Sequence, residues 1–247
     1  MTQERPTRRA LLRERTEEEL KAAALAEVRE RGAASVTLRG VARRVGMSPA
    51  GLYRYVDSRD GLLTWLIADR YHAYADHLEA ALEAAAPDPR SRLREVAMAY
   101  RGWAVDNPNA FGLVFGDPIP GYHAPVDGPT TEAMTRLGSA FAAPLLEIHA
   151  AGGLHLPGPL ADPALAEPLA PMARLAGDLP PAVYALLLIA WGRFHGQVCL
   201  EVFGHHHWLF PDGCEPLYRA DVEMFLESLT GGERPVKGTQ GPVTDQG

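Results

Sequence analysis

Tyr53, Arg54, Tyr55 and Arg59 stand close together in the chain. They supply hydroxyl and guanidinium donors of the kind that phosphate oxygens accept. Just before them, Ser48-Pro49-Ala50-Gly51 offers almost no side-chain bulk. Glycine inside a helix costs about 1 kcal/mol against alanine, so its use there points to a surface that something must approach closely. Base edges in a major groove are the obvious candidate. The competing reading is an ordinary helical corner with a solvated basic face.

The flanking sequence supplies elements to hold these groups. Leu38, Val41, Ala42 and Val45 fall at i, i+3, i+4 and i+7, one apolar stripe on a short helix. Thr37 precedes the stripe as an N-cap, and Gly46 follows it where a left-handed residue ends a helix. Ser48 caps a second helix with Pro49 at its first position, predicted over Pro49–Tyr55. Leu52 and Val56 hold that helix inward, so Ala50, Gly51, Tyr53 and Arg54 point away. Two short helices joined by so tight a turn form a helix-turn-helix.

The stretch from Leu20 to Leu66 resembles the N-terminal domain of the TetR family of transcriptional repressors. The resemblance is carried by Ala24-Leu25, Gly32, Val36-Thr37, Val41-Ala42, Gly46-Met47-Ser48, Leu52-Tyr53-Arg54-Tyr55-Val56, Ser58-Arg59-Asp60 and Leu62-Leu63. It implies phosphate contacts for Thr37, Tyr53, Tyr55 and Arg59, with Ser48 among the DNA-binding residues. It implies base-facing roles for Arg39, Pro49, Ala50, Gly51 and Arg54. Arg59 and Val56 replace the lysine and phenylalanine more usual in the family. Farther on, Trp191-Gly192-Arg193-Phe194-His195-Gly196 resembles the Trp-His-Gly motif of one TetR subgroup. Trp103–Phe115 and Gly116–Tyr122 are similar to segments of actinobacterial members.

Other constellations carry less chemistry. His195 and Cys199 share a helical face and could hold a metal, but no acidic partner is near, and a packed histidine is the simpler reading. His205-His206-His207 point in successive directions on a helix and cannot share one ion. No serine sits in a nucleophile elbow. Neither an enzyme nor a cofactor or metal site is expected. A small-molecule effector pocket is expected in the body among Tyr100, Trp103, Phe111, Phe115, Tyr122 and Trp191, aromatic residues that would otherwise serve as core.

The chain of 247 residues carries a net charge of −7, unevenly placed. Residues 1–60 hold 13 Lys and Arg against 9 Asp and Glu, and the remainder 11 against 22. A basic head on an acidic body suits a protein that meets DNA with one face. The expected division is a flexible basic leader (1–15), a helix-turn-helix domain (16–60), a ligand-binding and dimerisation domain (61–230) and a disordered tail (231–247). The leader would leave Thr16 to cap the first helix. The expected class is all-α, a three-helix head on a larger helical bundle. Body helices are read at Asp60–Ala86, Ser91–Asp106, Thr130–Ala150 (kinked by Pro144), Pro180–His206 and Leu217–Leu229, separated by proline-rich loops. Gly192, Gly196 and Gly204 recur at multiples of four along the most apolar of these. With Leu200 and Phe225 they mark the expected homodimer contact. Two cysteines, no signal-peptide pattern and no uncharged run of transmembrane length suit a cytoplasmic location. The expected partner is double-stranded operator DNA, with a repressor more natural than an activator.

Overall fold

The computed structural model describes residues 7–175 and 178–229. Ten α-helices and two short 3₁₀ turns make up its regular structure, with no strand among the described residues. The expected tail, 231–247, lies outside them, as do residues 1–6.

The first helix begins earlier than the sequence pattern indicated. α1 spans Arg8–Arg31, so residues 8–15 of the expected flexible leader are helical. Thr7 is its N-cap, accepting the Ala10 amide at 3.2 Å. Thr16, expected to be the cap, lies mid-helix and donates its hydroxyl to the Leu12 carbonyl. Arg, Ala, Leu and Glu are strong helix formers, and ion pairs Arg13–Glu17 and Arg15–Glu19 at i, i+4 extend the helix beyond its packed part.

α2 (Leu38–Arg44) and α3 (Pro49–Leu52) complete the head. Leu20, Ala24, Val41, Ala42 and Leu52 meet in its core, each buried almost completely. Glu27 is buried beneath them, its carboxylate answered by Arg44 at 3.2 Å. α4 (Arg59–Ala84) then leaves the head as one unbroken helix, capped by Ser58.

The body packs α4 against α5 (Pro89–Asp106) and α7 (Pro129–Ala150), with α6 (Pro108–Phe115) closing the end nearest the head. α7 continues through the buried Pro144. α8 (Pro163–Leu175) is a helix that the sequence pattern did not suggest, because Pro168 and Pro171 interrupt it. α9 (Pro181–Val202) crosses α5, and α10 (Glu215–Ser228) packs on both. α9 has the length and hydropathy of a membrane span. It also carries Arg193, paired with Asp221 of α10, and Glu201, paired with Arg101 of α5, as befits a helix inside a bundle. Gly204, grouped with Gly192 and Gly196 in sequence, lies past the end of α9 at φ +78°, where the chain turns.

Candidate nucleic-acid interface

The turn between α2 and α3 is built by local signals. Thr37 Oγ1 accepts the Gly40 amide at 3.1 Å, and Ser48 Oγ accepts the Gly51 amide at 3.1 Å. Gly46 adopts φ +69°, a left-handed conformation open to glycine at no steric cost. α3 is one regular turn, continued by tighter backbone bonds from Arg54 to Gly51 and from Tyr55 to Leu52. Leu52 and Val56 are buried below it, so the outer face is left to its small and polar residues.

That outer face gathers most of the expected residues. Thr37, Arg39, Ser48, Pro49, Ala50 and Arg54 are exposed, and Tyr53 is 56% exposed. Among the described residues, Arg39 and Arg54 have no ion-pair partner, and neither does Arg43. Arg43 follows Arg39 by four positions and shares its helix face; the sequence reading did not single it out, although the spacing was visible. Tyr55 is half-buried, with the Arg13 guanidinium 5.7 Å over its ring.

Two of the expected residues have other work in the fold. Arg59 turns back into the head: Nε donates to the Val36 carbonyl at 3.1 Å and Nη2 to the Ala34 carbonyl at 3.0 Å. Its guanidinium ties the start of α4 to the α1–α2 connection instead of standing free for phosphate. Gly51 is small for an internal reason as well. A Cβ there would lie 2.8 Å from Met47 Cγ, so the Met47 side chain, which packs into the space glycine leaves, would have to shift to admit a larger residue.

A second cluster lies in the body. Tyr74 stacks between Tyr100 and Trp103, at 4.9 and 3.9 Å between centroids. Tyr71 meets Phe115 edge-on at 5.5 Å, and Phe115 and Phe111 are 5.2 Å apart. Tyr122 reaches Thr64 of α4, hydroxyl to hydroxyl at 3.1 Å. Trp191 stacks on the His195 ring at 4.7 Å, and His195 Nδ1 lies 2.7 Å from the Tyr100 hydroxyl. His195 also meets Phe111 and Phe115. Tyr122 is tied to α4 through Thr64, and the other five of the six expected pocket residues belong to one ring network. Tyr100, Trp103 and Phe111 are buried as packed core within it, Trp103 through its stack on Tyr74. Burial pushes the His195 pKa down and those of the Cys199 thiol and the Tyr100 phenol up, which keeps all three neutral. Among the described residues no group of three metal-ligating side chains converges. A separate groove of about 330 Å³ opens between Leu25, Val28 and Arg29 of α1 and the α5–α6 joint at Asp106–Ala110.

A helix-turn-helix with an unpaired basic outer face, carried on a larger helical bundle, defines a DNA-binding transcriptional regulator. Comparison with known proteins gives the family. Residues 20–64 match "Bacterial regulatory proteins, tetR family", and residues 93–225 match "Tetracyclin repressor-like, C-terminal domain". The HTH-type transcriptional regulator Rv1816 of Mycobacterium tuberculosis is 36% identical over 181 residues, 72% of this chain and 76% of that protein. The crystal structure of regulatory protein SCO4313 superposes with a TM-score of 0.70 at 30% identity, over 92% of this chain and all of that one. The transcriptional regulator FadR of Bacillus subtilis, crystallised in complex with stearoyl-CoA, shares the fold at 15% identity, with a TM-score of 0.56 over 87% of this chain and 98% of that one. The chain belongs to the TetR family of transcriptional regulators.

Proposed function

We propose that the protein is a homodimeric repressor that binds a near-palindromic operator in the cytoplasm and is released by a small-molecule effector. The observation that carries this reading is α4. It begins at the DNA-facing head and runs unbroken into the body, where Tyr71, Tyr74 and Thr64 touch Phe115, Trp103 and Tyr122. A ligand that wedges into those contacts tilts the helix that carries the head.

Two half-sites must be met about 34 Å apart. An effector that binds the wrongly spaced form better by about 1.4 kcal/mol lowers operator affinity tenfold. FadR of Bacillus subtilis, a regulator with this fold, was crystallised in complex with stearoyl-CoA, which supports a small-molecule effector for this one. The dimer contact falls on the outer face of α9. Leu188, Ile189, Trp191 and Leu200 are exposed there, and a Cβ at Gly192 or Gly196 meets nothing within 4 Å inside the subunit. Among the described residues their smallness serves no neighbour, and it is available to a partner's backbone. Phe225, expected in that contact, is buried against Phe194 in the subunit core, so the face is carried by α9 with Met224 of α10.

Outward-facing Arg39 reads a base, with Tyr53 and Thr37 on phosphates. The test is selection of duplexes from a randomised pool. Wild-type protein is expected to enrich a two-fold-symmetric sequence, and Arg39→Ala to lose preference at one position per half-site, by about 1–3 kcal/mol. An unchanged preference removes Arg39 from base reading.

A further inference from the structure

The DNA-facing surface described above ends at Tyr55, but α1 extends past it. The packed core of the head starts at Leu20, so the turns from Arg8 to Glu19 stand outside it. Their charges are sorted. Within α1, Arg8, Arg9 and Arg13 come before the first acid, Glu14, whereas Glu17, Glu18 and Glu19 follow together with Arg15, which is paired to Glu19. A merely solvated extension has no need of that order.

The Arg13 guanidinium lies over the Tyr55 ring at 5.7 Å and Arg13 Nε donates to Glu17 at 2.8 Å. This contact fixes the outer part of α1 beside the recognition turn. Arg9 precedes Arg13 by four residues, which puts it on the same stripe about 6 Å farther along the axis. Arg9 is exposed, and among the described residues it has no ion-pair partner.

We propose that Arg9 and Arg13 form a second DNA contact, gripping backbone phosphates that flank each half-site beyond the reach of Tyr53. The proposal rests on the operator reading above, because it adds contacts to the same docked duplex. Phosphates recur about every 3.4 Å of axis along one strand, so the 6 Å step between the two arginines spans about two of them. A guanidinium can stack on an aromatic face and still present its N–H edge to an anion, which suits Arg13 on Tyr55. The pairing with phosphate is charge-assisted.

The experiment uses the full chain and the duplex enriched from the randomised pool, with affinity measured against salt and with footprinting. Replacing both arginines by glutamine (Arg9→Gln with Arg13→Gln) is expected to lower the log–log salt slope by about 0.9 for each phosphate no longer neutralised. The footprint should shorten by about two base pairs at each end. The matching lysine pair keeps the charge and should keep the slope. A wild-type slope and footprint in the glutamine variant overturn the proposal while the operator reading stands. A slope that falls as far with lysine also overturns it, because charge is then not what grips. If wild-type protein enriches no sequence at all, the operator reading fails and the proposal falls with it.

Discussion

The head and the body use arginine in opposite ways. In the body, guanidiniums join helices: Arg92 to Glu147, Arg94 to Glu223, Arg101 to Glu201, Arg136 to Glu79 and Arg193 to Asp221. In the head, Arg39, Arg43 and Arg54 are exposed and, among the described residues, have no ionic partner. The same side chain is a staple where a carboxylate is supplied and an open donor where none is. The acidic excess of residues 61–247 is therefore not simply a solvated coat, since part of it holds the bundle together. Elsewhere in the head Arg44 pairs with Glu27 and Glu30, so it is on the outer face of the helix-turn-helix that positive charge stays uncompensated, as an anionic partner requires.

Breaking the tightest staple should have the largest effect. Arg101 and Glu201 are each only 9% exposed and meet through two bonds of 2.7 and 2.6 Å, while Glu201 also accepts the Cys214 amide. Arg101→Ala strands a buried carboxylate and should cost about 3–5 kcal/mol, read by urea unfolding. A loss below about 1 kcal/mol would place the pair with ordinary surface bridges.

The next effect falls between subunits. Gly196→Leu has open space among the described residues of its own subunit, so the fold should survive. Overfilling a close backbone contact should weaken dimerisation by about 1–3 kcal/mol, seen by sedimentation as a shift to monomer. An unshifted dimer moves the interface off this stripe.

Arg59 sharpens the contrast from the other side, as a head arginine already occupied. Arg59→Ala should destabilise the head by about 1.5 kcal/mol, because the charge-assisted bonds to Val36 and Ala34 disappear. DNA binding should weaken with its salt slope unchanged. A slope reduced by about 0.9 per protomer would instead make Arg59 a phosphate ligand.

The smallest effect concerns His195. Its folded pKa is lowered by burial, so below the ordinary histidine value the unfolded chain binds the proton and the folded one resists it. Stability is therefore full above about pH 6.5 and falls as the pH drops toward the lowered value. The ionisable groups beside the ring are Tyr100 and Cys199, both held neutral, and Trp191 and Phe115 cover the rest. Between about pH 7 and about pH 5.5 the wild-type melting temperature should fall more than that of His195→Gln. Equal slopes would mean that the ring protonates without cost.

Local sequence determined the helix-turn-helix. Thr37, Gly46, Ser48 and Pro49 act within four residues of themselves, through caps and backbone angles, so their types and spacing specify the turn wherever it sits. The periodic stripes likewise placed α2, α4, α5 and α10, because burying one face of a helix leaves a repeat of about 3.6 in the chain. Tertiary structure decided the rest. Whether Arg59 faced solvent depended on carbonyls more than twenty residues away, and whether Gly51 was empty or filled depended on where Met47 folded. Trp103 became core rather than an open pocket wall because Tyr74, on another helix, lies flat against it. The pairing of Arg101 with Glu201 joins residues a hundred positions apart. α8 forms despite two prolines that local propensity reads as breakers, because packing against α9 outweighs that local cost.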